Sequence, residues 1–106
     1  MTIEEVTWST GEGAEVIERA NGIRVRTLWT GDTGAKAQIV EIDPCGRRAE
    51  LDVHEPGPEE VYVVSGVFND GVRDYRAGPF IHNPTGSSHV PQSKTGCVLF
   101  LFYPEG

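Results

Sequence analysis

The sequence predicts an all-β fold, an antiparallel jelly-roll barrel, and three observations carry that prediction. Apolar and polar residues alternate with period two over several short runs, as half-buried strands require. Thirteen glycines and seven prolines among 106 residues punctuate those runs at close intervals. No stretch keeps a 3.6-residue period long enough for a substantial helix.

In chain order, residues 1–21 are the least patterned, and 15–20 read as a helical turn or an edge strand closed by Asn21-Gly22. Ile-Arg-Val-Arg-Thr-Leu-Trp over 23–29 alternates cleanly and gives the first strand. A turn cluster at 30–34 leads to a strand over 37–42, which Asp43-Pro-Cys-Gly46 ends. Residues 48–54 and 59–65 are the arms of a hairpin around Pro56, Gly57 and Pro58. Proline fixes φ and donates no ladder bond, while glycine accepts φ > 0. A short strand then starts at Gly66, and Asp70-Gly71 turns it onto 72–75. Short strands over 80–82 and 88–91 follow, then a nearly all-apolar strand over 97–103, expected to be buried on both faces. One domain spans 1–106, with 1–21 as an N-terminal extension.

Nine basic against sixteen acidic side chains give a net charge of −7. That balance argues against nucleic acid and anionic membrane surfaces as partners, and its ordinary role is solubility. The chain opens with no basic-then-apolar leader, and its longest apolar run is too short to span a bilayer, so a cytoplasmic location is expected. Cys45 and Cys97 lack C-x-x-C spacing; Cys97 reads as a small core residue and Cys45 lies in a turn. Strands 23–29 and 97–103 carry more apolar side chains than one small interior holds. A homodimer through sheet edges or an outer face is therefore expected, with residues 2–8 available to extend the partner's sheet. Tyr62, Phe80, Phe100 and Phe102 are assigned to the core or that interface; Tyr75 and Trp29 receive no assignment.

The chemistry concentrates in two stretches. Asp52 and His54 lie two apart and so share a strand face. Beyond the turn, Glu59 opens the return strand on the same face as Val61 and Val63. A carboxylate on an apolar inner face is costly unless it is paired or binds a cation. Later, Pro84 and Gly86 shape the turn that delivers His89. Two imidazoles and two carboxylates suit one divalent ion, Fe(II), Mn(II), Zn(II) or Ni(II). A lone histidine is more often a hydrogen-bonded surface or core residue than a ligand; the company at this spacing points to metal. Asp52 reaches less far than a histidine, so it either ligates or accepts a hydrogen bond from a ligand. Glu50 has the same parity and is a reserve. His82 is either a neutral pocket-lining residue or a proton carrier beside the metal.

This spacing resembles that of the cupins. Their first motif, G-x5-H-x-H-x3,4-E-x6-G, is matched by Gly46, Asp52, His54, Glu59 and Gly66, with aspartate in place of the first histidine. Their second, G-x5-P-x-G-x2-H-x3-N, is matched by Gly78, Pro84, Gly86 and His89, with Ser93 in place of the asparagine. Residues 59–70, 83–91 and 96–100 resemble the subgroup that includes the cupin domain of ChrR-type anti-sigma factors, and more distantly acetylacetone dioxygenase. The resemblance covers 22–104. It implies a jelly-roll or double-stranded β-helix fold and one divalent metal per chain at Asp52, His54, Glu59 and His89.

For function the resemblance points two ways. The dioxygenases use histidine-bound Fe(II) and O₂ to cleave a β-diketone or hydroxyacetophenone, and other cupins isomerise, decarboxylate or cyclise with the metal as Lewis acid. By that likeness the chain is an enzyme acting on a small carbonyl or phenolic compound, with Glu59 as ligand or base. The ChrR-type cupin instead implies a non-catalytic module that binds or senses a metal or small molecule. Its sigma-binding activity resides in a separate N-terminal zinc-binding helical domain with no counterpart here, so an anti-sigma role is not expected. A third reading has the Asp52 substitution abolishing metal use.

Overall fold

The structure of the chain, a computed structural model, describes residues 6–47, 52–54 and 56–106. Among them no helix forms and eleven strands do. These are β1 (Val16–Ala20), β2 (Ile23–Thr30), β3 (Lys36–Ile42), β4 (Gly46–Arg47), β5 (Asp52–Val53) and β6 (Glu59–Asn69). There follow β7 (Asp74–Arg76), β8 (Phe80–Asn83), β9 (Ser88–His89), β10 (Gln92–Ser93) and β11 (Cys97–Tyr103). Nine of them form one sheet in the order β1-β2-β3-β11-β6-β10-β4, with β7 and β8 also pairing with β6, while β5 and β9 pair separately. Every pairing is antiparallel, and the fold is the all-β jelly roll expected from the strand and turn spacing.

Of the two readings open for residues 15–20, the edge strand is the one that forms, as β1. Three departures from the sequence reading have physical causes. β6 does not stop at Gly66 but runs on for eleven residues. Gly66 takes a φ of 76°, and the register to β11 shifts between Val98 and Leu99. The bulge bends the strand instead of ending it, so its first half pairs with β8 and β11 and its last residues with β7 and β10. β4 and β10 are two-residue strands that pair with each other, too short to show any period. β11 buries one face only: Cys97, Leu99 and Leu101 are buried, while Val98 and Phe100 are half-exposed. Most of the predicted arm 48–54 lies outside the described residues.

The inner faces hold Val25, Val40, Val61, Val63, Phe68 and Leu99, whose removal from water is the main stabilising contribution. Tyr75 packs against Phe68 and donates its hydroxyl to Asp70. Tyr62 and Phe80, which face each other across β6 and β8, lie exposed on the outer face, not in the core. On the outside of β2 and β3, Arg24 pairs with Asp43 at 2.8 Å and Arg26 with Glu41 at 2.8 Å. The hydrogen bond from Arg24 holds the Asp43 carboxyl below its ordinary range, against a smaller effect of burial.

Two predictions follow from this packing. A Cβ at Gly66 would collide with the Gly96 carbonyl in a left-handed backbone, so Gly66→Ala is expected to cost at least about 2 kcal/mol. Urea unfolding checks this, and an unchanged midpoint would contradict the bulge. Burial pushes the Cys97 thiol up to about 11, while Cys45 is exposed. A thiol reagent at neutral pH should therefore modify one cysteine in the native protein and the second only after unfolding.

Candidate metal centre

The site is assembled from three strands and one turn. β5 and β9 pair with Asp52 directly opposite His89, which places both side chains on one face. Asp52 Oδ2 lies 3.2 Å from His89 Nε2. The His54 amide donates to the Ser87 carbonyl at 2.9 Å, and the Gly86 amide donates to the His54 carbonyl at 2.8 Å. These two bonds pin the two motif stretches together, and Gly86, at φ 81°, supplies the left-handed residue that the turn needs. The rings of His54 and His89 then meet edge to face, 4.5 Å apart at 77°.

Glu59 enters from the main sheet at the start of β6, where alternation puts it on the inner face beside Val61 and Val63. It is 1 % exposed. Its Oε1 lies 3.5 Å from His54 Nε2 and 3.8 Å from His89 Nε2. One donor atom from each of Asp52, His54, Glu59 and His89 lies within 4.8 Å of all the others. Two further side chains hold the carboxylate. The Tyr103 hydroxyl donates to Oε2 at 2.5 Å, and Asn83 Nδ2 donates to Oε1 at 3.2 Å.

This donor set fits a divalent cation. Two carboxylates and two imidazoles crowd into a largely buried space, and anions so placed need a counter-charge. His54 Nε2, which faces Glu59, is buried with no hydrogen-bond partner among the described residues. Nitrogen and oxygen donors of this kind suit Zn(II), Mn(II), Fe(II) or Ni(II). The cluster opens on a cavity of about 310 Å³, walled by Val25, Val40, Phe68 and Leu99 and reaching Arg19 and Lys36.

The family profile of the ChrR Cupin-like domain matches residues 4–104. The chain belongs to this family of ChrR-like cupins. Its fold is similar to that of an RmlC-like cupin from Shewanella frigidimarina NCIMB 400, with a TM-score of 0.81 at 23% identity over 96% of this chain and 93% of that one. It is also similar to the polyketide cyclase RemF from Streptomyces resistomycificus, with a TM-score of 0.81 at 19% identity over 95% and 80%. The Rhodobacter sphaeroides ChrR, solved in complex with SigE, aligns with a TM-score of 0.68 at 23% identity over 95% of this cupin and 50% of the longer structure. No curated protein sequence matches the chain.

The cupin thus brings together Asp52, His54, Glu59 and His89, the four residues expected from the motif spacing. It does not bring His82 to them. Asn83 faces Glu59 and His82 faces Glu60 across β6 and β8, so His82 falls on the outer face. There its Nδ1 lies 2.6 Å from Glu60 Oε1, and its side chain is 54% exposed. Glu50 lies outside the described residues. Ser93, at the position of the usual asparagine, is buried, donates to the Val67 carbonyl and accepts from the Gly96 amide. Its role is to tie the bulge of β6 to the β10–β11 turn.

Sequence reasoning missed Tyr103 and Asn83. Tyr103 shares the inner parity of Leu99 and Leu101, which was a usable signal; Asn83 had none without the β6–β8 register. If the Tyr103 hydroxyl satisfies Glu59, Tyr103→Phe strips a buried charge of a partner and should destabilise by about 1–3 kcal/mol. Equal urea midpoints for wild type and variant would show that the bond holds nothing.

Proposed function

We propose that this cupin binds one divalent cation through Asp52, His54, Glu59 and His89 and acts on a small carbonyl or phenolic compound in the adjoining cavity. The supporting observation is the convergence of four donors, three of them buried, on the wall of an otherwise mainly apolar chamber. A bound cation supplies Lewis acidity and, as Fe(II), access to O₂ chemistry. The chain's own residues do the rest. Val25, Val40, Phe68 and Leu99 exclude water from the chamber and seat the apolar body of a substrate. Tyr103 and Asn83 fix the plane of Glu59, so that Oε1 faces the histidines while Oε2 stays on the Tyr103 hydroxyl. Glu59 is then either a fourth donor or a base that takes a proton from a substrate at Oε1. His82, paired with Glu60 on the outside, has no part in it.

Metal analysis of protein purified without chelator tests the site. Near-stoichiometric divalent metal is expected, with His54→Ala and His89→Ala each weakening Mn(II) or Zn(II) binding by about 100-fold or more and Asp52→Ala weakening it less. Binding should weaken on acidification, because both imidazoles coordinate only when neutral. Full metal content in both histidine variants would sink the assignment. The reaction class is tested by supplying the Fe(II), Mn(II) and Zn(II) forms with β-diketones and phenolic ketones, with and without air. Turnover by the Fe(II) form alone, with O₂ uptake, identifies an oxygenase. Turnover by several metals without O₂ identifies Lewis-acid catalysis. Ligand binding with no turnover in any form favours a sensing module.

A further inference from the structure

We propose that Gln38 sets the specificity of this chamber: its side-chain carbonyl accepts a hydrogen bond from a hydroxyl on the bound compound, at the end remote from the Asp52–His54–Glu59–His89 cluster. This rests on the proposed function above and narrows its ligand class to small carbonyl or phenolic compounds that carry a further, free hydroxyl.

An amide set in an apolar wall carries the inference. Gln38 shares the inner face of β3 with the core residues Val40 and Ile42, is 7% exposed and lines the cavity. Register puts Thr27 directly opposite it on β2, and Gln38 Nε2 donates to Thr27 Oγ1 at 3.0 Å. That bond fixes the amide and leaves Oε1, a carbonyl acceptor with no hydrogen-bond partner among the described residues. Methionine would fill the same volume without asking for one. Buried polar groups in folded proteins are nearly all paired, so an acceptor that the chain leaves open is one for the contents of the chamber to satisfy. The other polar groups outside the cluster are engaged or remote. Lys36 Nζ lies 4.8 Å over the Tyr103 ring, and the Tyr103 hydroxyl is on Glu59. Arg19 is exposed and level with Glu41 and Ile42, at the far end of β3.

The registers also relate this amide to the cluster. Gln38, Leu101 and Val61 form one cross-strand row, and Val61 stands two residues beyond Glu59 on the same face of β6. Two strand spacings across and two residues along separate the Gln38 and Glu59 backbones by roughly 12 Å. Both side chains project inward and take up part of that distance, which leaves the length of a single ring between amide and cluster. A chamber of about 310 Å³, at the lower end for small-molecule sites, suits such a compound. Leu99, Leu101 and Val61 wall the interval, so the body of the ligand is apolar. Its far end must donate, because Oε1 only accepts. A hydroxyl does so, whereas a methyl group in its place leaves the buried carbonyl unpaired, and sites of this kind reject the analogue that lacks the hydroxyl.

The test uses Mn(II)-loaded protein, with Mn(II) stoichiometry read by EPR and ligand affinity by calorimetry. Two matched pairs of ring compounds serve as probes, each with a hydroxyl across the ring in one member only. Kojic acid is compared with allomaltol, which has methyl in place of hydroxymethyl, and 4-hydroxycyclohexanone with cyclohexanone. In at least one pair the hydroxyl compound should bind about tenfold tighter, and Gln38→Met should bring that pair within about twofold with Mn(II) stoichiometry and the affinity of the other member unchanged. A merely structural role for Gln38 would weaken both members alike and leave their ratio standing. Should Gln38→Met not fold, Gln38→Asn, which withdraws the same amide by one methylene, decides by the same ratio. The inference is overturned if neither hydroxyl compound binds at millimolar concentration, if neither pair shows a preference, or if the preference survives in the variant. Should wild type fail to hold Mn(II), the metal reading falls by itself. The same titrations on metal-free protein then decide: a hydroxyl preference lost with Gln38 upholds the inference, and its absence overturns it.

Discussion

A carboxylate buried in an apolar wall is the constraint around which this molecule is arranged. An ionised Glu59 at 1 % exposure beside Val61 and Val63 would cost several kcal/mol if left unpartnered. Partners therefore converge on it from both neighbouring strands and from outside the main sheet: Tyr103 from β11, Asn83 from β8, and His54 and His89 from the two motif stretches. Only an interior strand can be served in this way. β6 has β11 on one side and β8 on the other, so both carboxylate oxygens meet donors at strand spacing. The Gly66 bulge lets that strand be long, carrying Glu59 in one half and the buried anchor Phe68 in the other.

What was legible in the sequence was what depends on local periodicity. Alternation alone puts Glu59 with Val61 and Val63, and Asp52 with His54, and the turn residues Pro84 and Gly86 announce the delivery of His89. What was not legible depends on register between distant strands. His82 looked like a pocket residue because it lies two positions before Pro84, but parity does not pass through the turn that follows β8. The β6–β8 register turns Asn83 inward and His82 toward Glu60. The two-residue strands β4 and β10 hold too few residues for any period to show; β10 is held between β6 and β4, and β4 exists by pairing with β10. Gly66 read as a terminator for a related reason: a glycine that ends a strand and one that bends it are alike until the neighbouring strand shows the shifted register.

The donors come from two separately bonded pieces of sheet, and this has an energetic consequence. Glu59 belongs to the nine-stranded sheet, whereas Asp52 and His89 belong to the β5–β9 pair. That pair has two residues per strand and is tied through His54 to the Ser87 and Gly86 backbone. Two-stranded units of this size have little stability of their own. A cation shared between Glu59 and the histidines, as proposed, joins the small pair to the large sheet, so part of its binding free energy becomes folding free energy. Without such a bridge, Asp52 on the small pair and Glu59 on the large sheet are two carboxylates crowded at the seam, a repulsion that the His54–Glu59 and His89–Glu59 contacts at 3.5 and 3.8 Å only partly offset. The donor cluster is then a source of instability or of cohesion according to what it binds. That coupling gives a small jelly roll a physical reason to tolerate four polar groups where its core would otherwise be apolar.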